Sequence, residues 1–139
     1  MEERIWHKSY DEGVRASVPY EDVPVPDFLG RTAERFPERD AILFMNRRIR
    51  YAEYKEHTDR MATAMARLGV VKGDMVAIHT PTIPQAAIAY QAAASLGACV
   101  VLTNPLYMPR EIEHQWNDAA LMLAVTLDFL LFQYVRGTL

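Results

Sequence analysis

The second half of the chain alternates strand-like and helix-like segments, and this order restricts the possible fold more than any other feature. Apolar runs at residues 75–79, 98–102 and 121–126 are separated by helical patterns over 85–96 and 110–118. Strands joined by helices in this way pair in parallel through right-handed crossovers, with the helices on the sheet faces. We therefore predict an α/β fold with a mainly parallel sheet, against which the alanine-rich helix 85–96 lies closely.

The connection between the second of these strands and the helix after it is specified by its turn residues. In the stretch VVLTNPLYMPREIEHQWNDA, residues 100–119, Asn104 and Pro105 end an apolar strand. Pro109 then supplies a φ suited to the start of a helix, and Glu111 interacts favourably with the helix dipole. A buried strand is thus expected to lead into a surface helix within a few residues.

The first half of the sequence predicts smaller elements that precede the sheet. Residues 1–25 mix charged and aromatic residues with prolines, which favours an extended surface arm. After the arm we predict a short helix over 26–36, a small hairpin with strands 41–45 and 49–51, and an amphipathic helix over 51–68 that ends at Gly69. The expected organisation is an arm, residues 1–25, and one α/β unit, residues 26–139.

Composition and charge limit the classes of function. A chain of 139 residues that is 50% apolar, with a formal net charge of -3, is typical of one globular domain and not of a nucleic-acid-binding protein. The N-terminus lacks the apolar segment of a signal peptide, and no apolar run approaches the roughly 20 residues that cross a bilayer. We therefore expect a cytoplasmic protein without a membrane span. Its one cysteine, Cys99, lies in an apolar run and is predicted to be a buried core residue rather than a reactive thiol.

The sequence contains no pattern that assigns a catalytic, cofactor-binding or metal-binding residue. Its six glycines lack the GxGxxG and GxxxxGK spacings that cradle phosphates, and its serines lack the GxSxG context of a nucleophile. The four histidines lack metal-ligand spacing. His79 ends a predicted strand, where parallel sheets tend to bind ligands, but a structural histidine is the favoured interpretation. Arg47, Arg48 and Arg50 are interpreted as a solvent-exposed hairpin tip rather than a phosphate site.

Several motifs occur in an order that resembles a known family. Residues 48–119 contain KGD, TPTIPQ and NPLYMPREIEHQWND, and they resemble the N-terminal portion of the AMP-forming acyl-CoA synthetases of the adenylate-forming superfamily. The last of these motifs most resembles the fatty-acid–CoA ligase branch. The likeness runs from about residue 26 to residue 128, and it implies that the α/β unit is a truncated N-terminal subdomain of such a synthetase.

This resemblance implies the reaction of the full-length family, and it also indicates which of the family's motifs have no counterpart in this chain. In the full-length family, ATP and a carboxylic acid give an acyl-adenylate, from which coenzyme A displaces AMP, with Mg²⁺ as the implied metal. The family's phosphate loop and catalytic lysine have no counterpart in these residues, so no functional residue is carried over. Met108 stands where the family often has Thr, and the loss of that helix cap is expected to cost about 1 kcal/mol.

The C-terminal residues 127–135 predict a helix that is apolar almost all round and therefore needs cover. We expect this segment to contact either a second copy of the chain or the missing remainder of the synthetase. The residues assigned to this contact are Leu127, Phe129, Leu130, Leu131, Phe132, Tyr134 and Val135. The alternative is a terminal helix that packs on the sheet and is covered by the N-terminal arm.

Three hypotheses about function follow from the sequence. The favoured one is a synthetase fragment that has no turnover of its own. The second is a self-associating or split-enzyme assembly module without catalysis. The third is a small nucleotide-binding domain that uses the strand ends near residues 79–82 and 103–107, although the missing glycine-rich turn argues against it.

Overall fold

The structure is a computed structural model that describes residues 4–131, and its elements follow the predicted order. They are α1 (Val25–Arg35), β1 (Asp40–Phe44), β2 (Arg47–Arg50), α2 (Tyr51–Arg67), β3 (Met75–His79), α3 (Pro84–Ser95), β4 (Cys99–Leu102), α4 (Pro109–Asp118), β5 (Leu123–Thr126) and α5 (Asp128–Leu130). Most predicted boundaries differ from these by one or two residues, as helix and strand ends commonly do.

A three-stranded parallel sheet with the order β4-β3-β5 forms the centre of the molecule. Ala77 of β3 lies opposite Val101 of β4 and Ala124 of β5, so the central strand is paired on both sides. β1 and β2 form a separate antiparallel hairpin, as predicted. The prediction of an α/β fold with a mainly parallel sheet is confirmed.

One face of the sheet is covered by α2 and α3. Val76 and Ile78 of β3 are buried there with Met65 of α2. Ala89 and Ala92 of α3 have no exposed surface, because their small side chains let the helix approach the sheet closely. The predicted close packing of the alanine-rich helix is therefore confirmed.

The opposite face is covered by α4. Ala77 packs there with Ile112 and Trp116, both of which are buried. Since successive side chains of a strand point to opposite faces, His79 lies on the same face as Ala77. This alternation brings the one buried histidine of β3 toward α4.

The turn after α2 requires a glycine. Gly69 follows the last residues of the helix with φ +96°, a left-handed conformation that glycine adopts without the steric cost of a Cβ. The predicted end of the helix at Gly69 is confirmed.

The structure corrects the prediction for Cys99. The thiol belongs to an exposed residue, because Cys99 begins β4, and β4 is an edge strand of the described sheet. Only Val100 and Val101 in the middle of this strand are half-buried. A position in an apolar run therefore did not guarantee burial, since an edge strand lacks a neighbour on one side.

The two ends of the described chain contain features that the sequence patterns did not specify. A 3-10 helix, Ile5–Ser9, lies within the predicted arm, and Glu21 of the arm forms an ion pair with Arg31 of α1. In the C-terminal segment, Leu130 is buried while Phe129 is 54% exposed. Leu127 is half-buried and Leu131 is exposed, whereas the other predicted contact residues, Phe132, Tyr134 and Val135, lie outside the described residues.

Candidate functional site

The carboxyl ends of the three parallel strands meet at one edge of the sheet, where α/β proteins commonly bind ligands. His79 ends β3, Thr126 ends β5, and Thr103 directly follows β4. His79 and Thr103 are buried, and Thr126 is half-buried. This edge is the candidate site, and it includes both strand ends named in the nucleotide-binding hypothesis, through His79 and Thr103.

His79 occupies the centre of the site. Its Nδ1 lies 3.1 Å from Thr126 Oγ1, and its ring contacts Trp116 edge-on, with ring centroids 6.1 Å apart and planes at 84°. Burial lowers the pKa of the imidazole below its ordinary value of 6.5, because the charged form loses its solvation. His79 is therefore neutral at neutral pH, and its Nε2 has no hydrogen-bond partner within residues 4–131.

A second buried hydrogen bond fixes α4 to the end of β4. Trp116 Nε1 donates to Thr103 Oγ1 over 2.9 Å, while the Thr103 amide donates to the carbonyl of Ile78 over 3.1 Å. Gln115 Nε2 also donates to the carbonyl of Leu102 over 3.3 Å. The helix and the strand end are thus positioned by polar contacts as well as by the apolar face of α4.

The loop between β4 and α4 satisfies much of its own hydrogen bonding. Asn104 Oδ1 accepts a hydrogen bond of 3.0 Å from the Leu106 amide, the arrangement that the Asn-Pro turn predicts. Glu111 Oε2 accepts a bond of 2.9 Å from the Met108 amide. Glu111 therefore still caps this helix start from its third position, although Met108 has no hydroxyl to take part in a capping box.

The chemistry of this edge is that of a neutral polar cluster. Its ring nitrogen, hydroxyls and indole mainly bond to one another, which supports the structural interpretation of His79. Residues 4–131 contain no group of three His, Cys, Asp or Glu side chains that could hold a metal ion. The sequence also lacks a glycine-rich loop. The residues of this edge therefore do not form a binding site for a triphosphate and its Mg²⁺.

The arginines of the hairpin are exposed, as predicted. Arg48 Nη1 is 2.6 Å from Asp40 Oδ2, and Arg47 Nη2 is 3.4 Å from Glu53 Oε1. Arg50 forms an ion pair with Glu38. Each guanidinium therefore has an acidic neighbour on the protein itself.

A groove of about 680 Å³, lined mostly by apolar side chains, borders α4 and β5. Its lining includes Leu121, Leu123, Trp116 and Leu131. Since β5 has a strand partner on one side only in the described sheet, this groove lies beside an unpaired strand edge. Leu131, one residue of the predicted C-terminal contact segment, is part of this lining.

The sequence had pointed to His79 and to the strand end that begins with Thr103, but not to Thr126 or Trp116. Thr103 and Thr126 are polar residues at the ends of apolar strands. This position was the one feature of the sequence that could have indicated them as residues of the site. Trp116 was expected only as part of a helix. Separately, none of the described helices is long and apolar enough to cross a membrane.

Comparison with known proteins identifies related sequences. A family model described as "AMP-binding enzyme" matches residues 29–137. The long-chain-fatty-acid–CoA ligase of Bacillus subtilis (strain 168) is 31% identical over 128 residues, which cover 92% of this chain and 23% of the ligase. The chain thus spans about a quarter of the length of this relative.

Solved structures show the same fold. The N-terminal subdomain of Klebsiella oxytoca NpsA in complex with anthranilyl-AMSN matches with a TM-score of 0.72 and 30% identity, covering 76% of this chain and 28% of that one. The fatty acyl CoA synthetase of Mycobacterium tuberculosis matches with a TM-score of 0.71 and 25% identity, covering 74% and 21%. The described fold therefore corresponds to part of the N-terminal subdomain of NpsA.

Proposed function

The chain belongs to the family of AMP-binding enzymes, and we propose that it forms the N-terminal part of an AMP-forming fatty-acid–CoA ligase. The similarity of 92% of the chain to a long-chain-fatty-acid–CoA ligase supports this proposal most directly. The proposed parent reaction joins a fatty acid to coenzyme A, with conversion of ATP to AMP and pyrophosphate, in a cytoplasmic enzyme.

Within such a ligase, these residues would act as a scaffold rather than as the reacting groups. The buried contacts of Thr103 with Trp116 and of His79 with Thr126 hold three strand ends and α4 in one arrangement. A rigid sheet edge of this kind can support loops that come from elsewhere in the enzyme. His79 would act as a positioning residue, because its ring bonds to the protein.

Acyl activation would depend on groups outside these 139 residues. The phosphates of ATP and their Mg²⁺ need a loop of backbone amides and oxygen ligands, and the sequence lacks the glycine spacings that build such a loop. We accordingly propose that the isolated chain does not form acyl-adenylate.

The remainder of the ligase would contact this part along the apolar side of β5. Leu131 and Leu123 line the groove there, and Phe129 is 54% exposed nearby in sequence. Covering these side chains would remove apolar surface from water, which stabilises the contact by about 25 cal/mol of free energy for each Å² buried. Self-association through the same residues is the competing outcome.

A chimeric enzyme tests this proposal. Residues 29–131 of this chain would replace the aligned segment of the Bacillus subtilis long-chain-fatty-acid–CoA ligase, and AMP release with a fatty acid, ATP and coenzyme A would be measured. We expect a folded chimera with ligase activity, whereas the same ligase with the segment deleted is inactive. A chimera that unfolds cooperatively but releases no AMP would contradict the proposed role.

A further inference from the structure

A cleft of about 630 Å³ lies between the start of α1, the middle of α2 and the end of α3. It also borders Lys72 and Gly97, which shortly precede β3 and β4, so it lies toward the amino ends of these parallel strands. The candidate site lies at their carboxyl ends. The cleft is therefore a separate feature of the molecule, and its volume is within the range of about 300 to 1,000 Å³ that small-molecule sites have.

The lining contains a buried hydroxyl that does not bond to the rest of the described chain. Thr58 of α2 is 1% exposed, and its Oγ1 has no hydrogen-bond partner within residues 4–131. The helical hydroxyls of Thr32, Thr63 and Ser95, by contrast, each donate to the carbonyl four residues earlier, over 2.6 to 2.8 Å. Since a buried polar group without a partner costs free energy, the Thr58 hydroxyl is suited to a ligand that bonds to it.

The charges of this lining cancel. Its charged residues are Asp27, Lys55, Asp59 and Lys72, two of each sign. Lys55 Nζ lies 2.6 Å from Asp59 Oδ2, and the other ion pairs of the described chain involve neither Asp27 nor Lys72. The positive end of the α1 dipole and the negative end of the α3 dipole border the same cleft and oppose each other. The lining therefore favours neither an anion nor a cation.

The polar groups of the cleft require a ligand that both donates and accepts hydrogen bonds. Asp27 and Lys72 are exposed, and the carboxylate can only accept while the ammonium can only donate. A hydroxyl does both, so a compound with several hydroxyls can bond to Asp27, Lys72 and Thr58 without bringing a charge into the cleft. Leu29 and Leu96 add apolar surface against which the carbon skeleton of such a compound can lie.

We propose that this cleft binds a small neutral polyol of the size of a monosaccharide. Its hydroxyls bond to Thr58, Asp27 and Lys72, and one face of its ring lies against Leu29. Phosphorylated compounds fit poorly, because the aspartates of the lining repel their negative charge. The binding does not rely on attraction between opposite net charges, so it should change little with ionic strength. The proposal rests on the cleft and not on the proposed ligase function.

The test is a titration of the ¹⁵N-labelled chain with myo-inositol, followed by amide chemical shifts. This polyol is chosen because, unlike a reducing sugar, it does not react with lysines. We expect saturable shifts that concentrate on the residues around the cleft, with the same affinity at low and high salt. Cyclohexanol, which has the same ring with one hydroxyl, should bind at least about tenfold more weakly, because several hydrogen bonds are lost.

Thr58→Val separates a ligand-binding hydroxyl from a structural one. It should weaken inositol binding by about three- to tenfold and keep or raise the thermal unfolding midpoint of the free chain, because valine removes a buried polar group without a partner. Thr63→Val is the matched control, since Thr63 lies on the same helix but does not line the cleft. Its substitution should leave the inositol affinity unchanged.

Four results would overturn the proposal. They are the absence of saturable inositol binding, equal affinity for cyclohexanol, unchanged inositol affinity in Thr58→Val, and shifts centred away from the cleft. The cyclohexanol comparison uses the unaltered chain, so it decides the matter even if a substitution impairs folding.

Discussion

The Nδ1 atom of His79 lies 3.1 Å from the hydroxyl of Thr126, which joins the last residue of β3 to the last residue of β5. The two residues are also register partners in the parallel sheet. A side-chain bond therefore reinforces the sheet at its carboxyl edge. Because His79 is completely buried, its protonation state is linked to folding.

We expect the stability of the chain to decrease in mild acid through His79. Burial lowers the pKa of His79 in the folded state, so the unfolded chain binds the proton more tightly. This contribution to stability is complete above the unfolded pKa of about 6.5 and is lost as the pH falls through the lower folded pKa. Urea unfolding at a series of pH values measures the effect.

His79→Gln should flatten this part of the pH dependence, while His114→Gln should not, because His114 is exposed on α4. The carboxylates that titrate at lower pH are common to all three proteins, so the comparison isolates His79. An unchanged slope in His79→Gln would show that this imidazole is not linked to folding.

Thr103→Val should destabilise the chain by about 1 to 3 kcal/mol. Valine keeps the shape of the side chain but removes the acceptor 2.9 Å from Trp116 Nε1, which leaves a buried indole N–H without its partner. Thr63→Val is the control, since the exposed Thr63 hydroxyl bonds only within its own helix and its loss should cost less than about 0.5 kcal/mol. Chemical denaturation compares the two variants, and equal free energies of unfolding would refute the role given to Thr103.

Gly69→Ala and Gly30→Ala should change stability in opposite directions. Gly69 has φ +96°, so an added Cβ costs about 1 to 2 kcal/mol. Gly30 lies inside α1, where its added Cβ would be 3.8 Å from Lys55 Cε, and alanine should stabilise the helix by roughly 0.5 to 1 kcal/mol. Thermal unfolding midpoints give the signs directly, and a shift in the same direction for both variants would contradict the geometry.

Sedimentation velocity tests whether the apolar side of β5 mediates self-association. Leu131→Asp places a charge in the groove beside β5. If this surface pairs with a second copy, the chain should show concentration-dependent association at micromolar concentrations, and the variant should shift toward monomer. Leu43→Asp, on the exposed hairpin, is the control for adding a charge. A chain that stays monomeric at all concentrations would contradict self-association. Contact with the remainder of a ligase would then be the role left for this surface.

The sequence predicted the sheet because several local signals agreed. The strand at Met75–His79 was found with correct boundaries, since it is apolar, short and followed by prolines. The alanine content of α3 correctly indicated close packing on the sheet. Turn residues such as Gly69 act through local backbone geometry, which a single sequence reveals well.

The remaining features depend on contacts between segments that are distant in the chain. Cys99 was wrongly predicted to be buried, because its exposure follows from the position of β4 at the sheet edge. The bond between His79 and Thr126 joins residues 47 positions apart and requires the register of two parallel strands. The hydrophobic periodicity of one segment specifies neither the order of the strands in the sheet nor the register between them.

Release of AMP by the purified chain tests the central claim most directly. The chain, shown to be folded by its circular dichroism and cooperative unfolding, would be incubated with ATP, Mg²⁺, coenzyme A and a fatty acid. We expect no AMP above the level of a protein-free sample, because under the proposed function the groups that hold the triphosphate lie outside these residues. Sustained, fatty-acid-dependent AMP formation by this chain alone would contradict the account.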